Sequence, residues 1–358
     1  MVRVLNIIGS LNMGGAQALI VNLYRNIDRG KIQFDFAVYD KPDRESYYDE
    51  VKKLGARVYY IPHKCDGVMR NQKMIYDIIK KNNYSIIWRH TSGCFGGLDI
   101  ISAKLAGAKK CILHSHNSSL RKKTLHYMSR GIVNCFATDR FACSKAAGRW
   151  MFGKRKFRII NNGIETKRFS YNEAVRNCYR DKFEVSGKTV IGHIGRFAPE
   201  KNHKFLLDVF ESYRALDEQS VLVLIGTGKL EREIKEYVSK KGLKEYVLFL
   251  GNRKDVAEIM QMFDVFVMPS LYEGFPVTLV EAQAAGLHCV VSDNITNEVN
   301  ITKSINYLSL KSPMNDWAKA MLKAAEKERK DNSKIIMEAG FDIMHNVKFI
   351  EEMFADTE

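Results

Sequence analysis

The 358-residue sequence predicts an α/β protein built as two parallel-sheet halves. Short apolar runs alternate with helix-length segments along the whole chain, the pattern of repeated strand–helix units. Glycine-containing turns follow several of those runs directly, at Gly9 to Gly15, Gly192 to Gly195 and Gly226 to Gly228, where a small residue lets backbone approach a ligand. The length suits about two domains.

In the first half the apolar runs predict strands at Val2–Ile8, Phe34–Val38, Ala56–Ile61, Ile86–His90, Lys110–His114 and Arg140–Cys143. In the second they predict Val190–Ile194, Val221–Ile225, Tyr246–Leu250, Val265–Met268 and Cys289–Ser292. A polar, charged stretch near residues 165–187 reads as the boundary, as linkers tend to. The expected domains are thus 1–170 and 185–340, with a last helix from about Phe341 to Phe354.

The block Phe263 to Gly286 carries the most chemistry. The run Val265–Met268 is short enough for a strand buried on both faces. It stops at Pro269-Ser270, and a loop with Glu273, Gly274 and Pro276 leads to a helix starting near Thr278. Two carboxylates, Glu273 and Glu281, therefore flank a strand-to-helix turn, which in an open parallel sheet lies at the ligand-binding edge. The helix N-terminus beside it offers free N–H groups and a positive dipole end for a phosphate. A second reading stays open, since Thr278 and Glu281 also have the spacing of a capping box, and Glu273 can be a solvated loop acid.

Other cofactor signatures are missing. No G-x-G-x-x-G with a following acid supports a dinucleotide site, and no G-x4-G-K-[S/T] supports a P-loop. There is no Asp-x-Asp to anchor a metal–nucleotide complex, so no metal and no cofactor are expected. Arg and Lys must then neutralise any diphosphate, a role open to Arg196 and Lys201 in a strand-to-helix loop.

Four motifs, in order along nearly the whole chain, resemble retaining glycosyltransferases of family 4, which have the GT-B fold. Glu273-Gly-Phe-Pro-x4-Glu281 is similar to their E-x7-E motif, and Gly195-Arg-Phe-Ala-Pro-Glu-Lys-Asn202 to their G-R-x4-K pattern. Asn162-Gly-Ile164 resembles the N-G-[IV]-D segment, and Met13-Gly-Gly-Ala-Gln17 the N-terminal M-G-G-A-[EQ] loop. Two positions depart from the pattern: Gly286-Leu-His288 stands where the family usually has Gly-x-Pro, and Glu165 replaces the Asp after Asn162-Gly-Ile164.

The resemblance implies two Rossmann-like domains with a deep interdomain cleft, the segment 341–358 packing back on the first. It implies that Arg196 and Lys201 hold the donor diphosphate and that Glu281 binds the nucleotide ribose. Glu273, with the Gly274-Phe275 backbone, would face the donor sugar, and Gly14 and Gly15 would admit the donor phosphate. In Leu113-His-Ser-His-Asn117, His114 is similar to the histidine near the transferred sugar, with His116 two residues away. The implied reaction is retaining transfer of a hexose from a nucleotide diphosphate sugar, UDP first in rank, to an acceptor hydroxyl. Capsule or exopolysaccharide assembly on a polyprenyl-diphosphate-linked oligosaccharide suits a cytosolic enzyme with a basic domain. A non-catalytic sugar-nucleotide-binding subunit and a sugar-nucleotide 2-epimerase on the same fold are the alternatives.

Charge is the unusual bulk property. Of 56 Lys and Arg, 33 lie in residues 1–180, which hold only 13 of the 41 Asp and Glu. Such asymmetry points to an anionic partner for the first half. Cations around Arg121-Lys-Lys123 and Arg130 interleave with Leu125, Met128 and Ile132, as in a helix lying on an anionic bilayer; a half-buried Rossmann helix with a basic outer face fits the same residues. RNP, zinc and helix-turn-helix patterns are missing, so nucleic acid is not an expected partner. Seven scattered cysteines without C-x2-C spacing read as buried reduced thiols. No membrane span and no signal-peptide pattern is present, and the chain is expected in the cytosol, peripheral to the membrane through its basic half.

Overall fold

The computed structural model describes residues 1–12, 14–42, 46–117 and 123–355. They form two compact units, Met1–Gly163 with the segment from Ile343 onward, and Ile164–Asp342. Met13 and residues 118–122, including Arg121 and Lys122, lie outside the described residues.

The first unit holds strands β1 (Val2–Ile8), β2 (Ile32–Val38), β3 (Val58–Tyr60), β4 (Ile86–Thr91), β5 (Lys110–Ser115), β6 (Asp139–Ala142) and β7 (Arg158–Ile159). They pair in the order β3-β2-β1-β4-β5-β6-β7, all parallel. Successive strands run outward to one side from β1 and to the other from β4, so the order reverses between these two. Helices cover both faces, which is why β1 is mostly apolar and β4 opens on Ile86-Ile87-Trp88. On one face the helix Gly15–Asn26 buries Leu19, Ile20 and Leu23 beside Ile343, Val347, Ile350 and Phe354 of the helix Ile343–Ala355. The latter four are spaced at i, i+4, i+7 and i+11, one helical stripe. Trp88 anchors this layer, with Phe34, Phe141 and Phe354 edge-on around it.

The second unit holds β8 (Thr189–Ile194), β9 (Ser220–Ile225), β10 (Val247–Gly251), β11 (Val265–Met268), β12 (His288–Ser292) and β13 (Ile305–Leu308). Their order is β10-β9-β8-β11-β12-β13, again all parallel. Here the reversal falls between β8 and β11. All four residues of β11 are buried, as its apolar run predicts.

Three sequence expectations change. The charged stretch 165–187 contains the helices Thr166–Phe169 and Glu173–Lys182 of the second unit. Two of its arginines point inward: Arg176 and Arg180 both reach Asp264, with Arg180 Nη1 3.1 Å from Asp264 Oδ2. Two edge strands carry no readable run: β7 has two residues, and β13 places Asn306 at an exposed position. Of the cysteines, 94, 111, 143 and 289 are buried as expected, but Cys65, Cys135 and Cys178 are exposed.

Candidate active site

Ligands of open parallel sheets bind outside the carboxyl ends of the strands where the order reverses. In the second unit that place is the end of β8 and β11, and the loops after these two strands hold Arg196, Lys201 and Glu273. Two bonds stitch the loops together. Asn202 Nδ2 donates to the Pro269 carbonyl at 3.2 Å, and the Leu271 N–H donates to the Glu200 carbonyl at 2.8 Å. Asn202 sits in the left-handed region (φ 56°), a conformation asparagine tolerates. Gly226 (φ +134°) lets the β9 loop close in, because a Cβ there would stand 2.2 Å from the Gly195 carbonyl oxygen.

The centre of this arrangement is an ion pair. Lys201 Nζ lies 2.6 Å from Glu273 Oε1, and the buried Ser270 hydroxyl donates to the same oxygen at 2.7 Å. Glu273 Oε2 has no partner among the described residues. The Gly274 and Phe275 backbone N–H groups also donate to nothing there. Phe275 commits its ring to stacking on Phe341 at 5.5 Å between centroids, which holds the loop while Gly274 stays exposed. Arg196 is 62% exposed and pairs with Glu200 at 2.9 Å; a solvated guanidinium remains free to be recruited by an anion.

Glu281 lies on the helix Val277–Ala284, whose N-cap is Pro276 with no side-chain cap bond. The capping-box alternative is therefore not formed, because the helix begins one residue before Thr278. The Glu281 carboxylate has no hydrogen-bond or ion-pair partner among the described residues. Burial raises its pKa to about 7, against the opposing pull of Arg168. A buried carboxylate held without partners is placed to accept hydroxyl groups.

In the first unit the reversal falls at the ends of β1 and β4. Gly14 and Gly15 follow β1, Gly15 opening the helix Gly15–Asn26. Neither glycine is demanded by the fold. A Cβ at Gly15 would meet only Asn162 Nδ2 at 4.0 Å, and one at Gly14 only the movable tip of Gln17. His90 and His114 are register partners across β4 and β5, and His116 follows His114 by two residues, so strand alternation sets all three on one face. His114 is fully buried, ring-stacked on Trp88, with neither ring nitrogen bonded. His116, past the end of β5, keeps some exposed surface. Its Nε2 is 3.1 Å from His90 Nδ1, and His90 Nε2 is 3.1 Å from Asn6 Oδ1. Burial holds His90 and His114 well below the usual histidine range and His116 at about 3.

One ring nitrogen from each histidine lies within 4.8 Å of the others, a spacing a divalent transition ion could use. His90 already spends both nitrogens on Asn6 and His116, so an ion would have to displace those bonds. Sequence reading missed Asn6, His90 and Ser270, whose partners lie 84, 26 and three residues away.

Comparisons with known proteins identify the family and the fold. Residues 13–168 match the family described as Glycosyltransferase Family 4, and residues 176–339 match Glycosyl transferases group 1. The protein EpsF of Bacillus subtilis (strain 168), named as a glycosyltransferase, is 36% identical over 96% of this chain and 94% of its own. The UDP-Gal:alpha-D-GlcNAc-diphosphoundecaprenol alpha-1,3-galactosyltransferase of Escherichia coli is 25% identical over the same shares. The crystal structure of Anabaena HepE in complex with UDP-glucose has a TM-score of 0.76 at 18% identity, covering 99% of this chain and 100% of that one. The fold is GT-B. The chain belongs to the glycosyltransferases of family 4 and group 1.

Proposed function

We propose that the protein transfers a hexose from a UDP-sugar, with retention of configuration, to a hydroxyl of a polyprenyl-diphosphate-linked oligosaccharide in capsule or exopolysaccharide assembly. The observation that carries this is the Lys201–Glu273–Ser270 cluster at the β8/β11 reversal, beside two free backbone N–H groups and the unpartnered Glu281. The donor supports come from relatives: HepE is crystallised with UDP-glucose, and the Escherichia coli relative is named for a UDP-galactose donor and a diphosphoundecaprenol acceptor.

In the second unit, Arg196 and Lys201 are assigned to the diphosphate, Glu281 to the ribose hydroxyls, and Glu273 with the Gly274-Phe275 backbone to the sugar. In the first, Gly14 and Gly15 are assigned to a phosphate. Of His114 and His116 we assign His116 to a sugar hydroxyl, because His114 has no surface to offer one. As the anomeric C–O bond to the diphosphate breaks, negative charge grows on the leaving oxygen. Fixed cations and N–H groups stabilise that charge most in the transition state. The acceptor oxygen bonds to the anomeric carbon on the same face, and its proton passes to the leaving phosphate oxygen. Glu273 orients the sugar and forms no covalent bond. Since two cations serve the diphosphate, turnover is expected to persist in EDTA.

No helix of the described residues is long and apolar enough to cross a membrane. Contact with a lipid-borne acceptor is assigned to the helix Thr124–Phe136, which exposes Leu125, Met128 and Ile132. Between Ile100 and Ile160 the sequence has fourteen Lys and Arg and one acid, Asp139, a charge that suits anionic headgroups.

The test is purified protein with labelled UDP-, GDP- and ADP-sugars, EDTA and a membrane lipid extract. Label entering the lipid fraction from a UDP-sugar is the expected result. Label entering only water-soluble product would remove the lipid acceptor, and interconversion of the sugar nucleotide without transfer would replace the reading by epimerisation.

A further inference from the structure

We propose that Asn6 and His90 are positioning residues that lock His116 in the tautomer whose bare Nδ1 accepts a hydrogen bond from a sugar hydroxyl. The inference deepens the reading of His116 given above and rests on it for the identity of the ligand.

The direction of each bond follows from one group that cannot donate. Asn6 Nδ2 lies 3.3 Å from the backbone carbonyl of Asp35, which only accepts, so the Asn6 amide is oriented with Oδ1 toward His90. That oxygen also only accepts. His90 must therefore carry its proton on Nε2, 3.1 Å away. A neutral imidazole has one proton, which leaves His90 Nδ1 bare and able only to accept. Its neighbour is His116 Nε2 at 3.1 Å, so His116 carries its proton there. The remaining His116 nitrogen, Nδ1, is then a lone pair without a partner among the described residues.

Burial keeps the imidazoles neutral: His90 is 3% exposed, and the suppressed basicity of His90 and His116 keeps both uncharged near pH 7. The scaffold is rigid. Asn6 and His90 lie on β1 and β4, adjacent central strands, with Asn6 paired to Trp88 in register. Trp88 and His114 pack beside His90 and His116, at ring distances of 5.0 and 4.1 Å respectively, and fix the ring planes.

The consequence is selective chemistry. A lone pair at the carboxyl edge of the first sheet accepts from an O–H and repels a carboxylate or phosphate oxygen. The hydroxyl can belong to the donor sugar or to the acceptor, and kinetics separates the two.

The test uses ¹⁵N-histidine-labelled full-length protein near pH 7, with the nine histidines assigned by single-site difference spectra. Wild type should show His90 and His116 both neutral and protonated on Nε2. His90→Phe keeps an aromatic ring beside Trp88 but removes the acceptor, and His116 should then populate both tautomers. Asn6→Leu should release His90 and, through it, His116. His116 protonated on Nδ1 in wild type, or a His116 tautomer unchanged in His90→Phe, overturns the proposal, and the wild-type spectrum decides even if both variants misfold. In turnover, His90→Phe should lose about tenfold or more in kcat, since a misplaced histidine proton is costly to catalysis. A shift in donor KM identifies a donor hydroxyl, and a shift in acceptor KM an acceptor hydroxyl. If no sugar is transferred from any donor, the functional reading fails, while the tautomer result still stands or falls by itself.

Discussion

Lys201 Nζ and Glu273 Oε1 meet at 2.6 Å across two loops that follow neighbouring strands. The pair holds the two loops in register and leaves the second Glu273 oxygen open. It also places an ammonium, with donors to spare, where a diphosphate is expected. Gly195 makes room for it, because a Cβ at that position would press on Lys201 Cδ at 3.2 Å.

Lys201→Ala should therefore remove transfer while the fold persists. The loss expected is about 10²–10³ in kcat, the scale for deleting one preorganised donor to a developing anion. Circular dichroism and thermal melting check the fold, and steady-state kinetics the loss. Near-normal turnover would remove Lys201 from the diphosphate.

Glu281 links stability and ligand binding to pH in opposite directions. Its pKa is raised from 4.5 unfolded to about 7 folded, so the folded state binds more protons between these values. The stability contribution is complete below about pH 4.5 and lost as pH rises through about 7. Relative to Glu281→Gln, wild type should lose a melting temperature of about a few degrees over that window. Affinity for UDP should move the other way, strengthening above pH 7 as the carboxylate ionises to accept ribose hydroxyls. Calorimetric titration at pH 6 and 8 reads this, and parallel curves for wild type and Glu281→Gln would contradict it.

Gly15→Ala separates fold from function. At the first position of a helix, with nothing nearer than 4.0 Å, alanine should leave stability unchanged or raise it by about 0.4–1 kcal/mol. Transfer should nevertheless fall, because the methyl occupies space assigned to a ligand phosphate. Gly226→Ala should do the reverse and lower the melting temperature, since its φ of +134° and the facing carbonyl both exclude a Cβ.

The double variant Met128→Asp and Ile132→Asp alters the helix Thr124–Phe136 at its outer face, where Met128 is 76% exposed. Cosedimentation with anionic vesicles should drop in the variant and, for wild type, fall with added salt. Turnover on a soluble acceptor analogue should stay unchanged. Equal vesicle binding by both proteins would detach this face from the membrane.

The Glu273 loop was legible in sequence because Pro269-Ser270, Gly274 and Pro276 punctuate a strand-to-helix turn locally, whereas its pairing with Lys201, 72 residues away, was not. The central strands were legible too, since burial on both faces leaves unbroken apolar runs such as Val265–Met268. The edge strands β7 and β13 were not, because one buried face leaves little pattern in two to four residues. The Asn6–His90–His116 chain was out of reach for another reason. It depends on which strands pair and in what register, and that is decided by long-range packing rather than by any window of sequence. The roles of His114 and His116 divide on the same ground: strand alternation turns both to one face, and only the end of β5 tells which one meets solvent.

The helix Ile343–Ala355 completes the core of the first unit, although it follows the whole second unit in the chain. During synthesis, residues 164–342 leave the ribosome as one continuous stretch and can fold as soon as they emerge. The first unit must wait, its apolar face around Trp88 uncovered, until the last helix arrives. The order of maturation is thus the reverse of the order of translation. The late-closing part is the one bearing Asn6, His90 and His116, so chaperone dependence and sensitivity to C-terminal truncation should concentrate there.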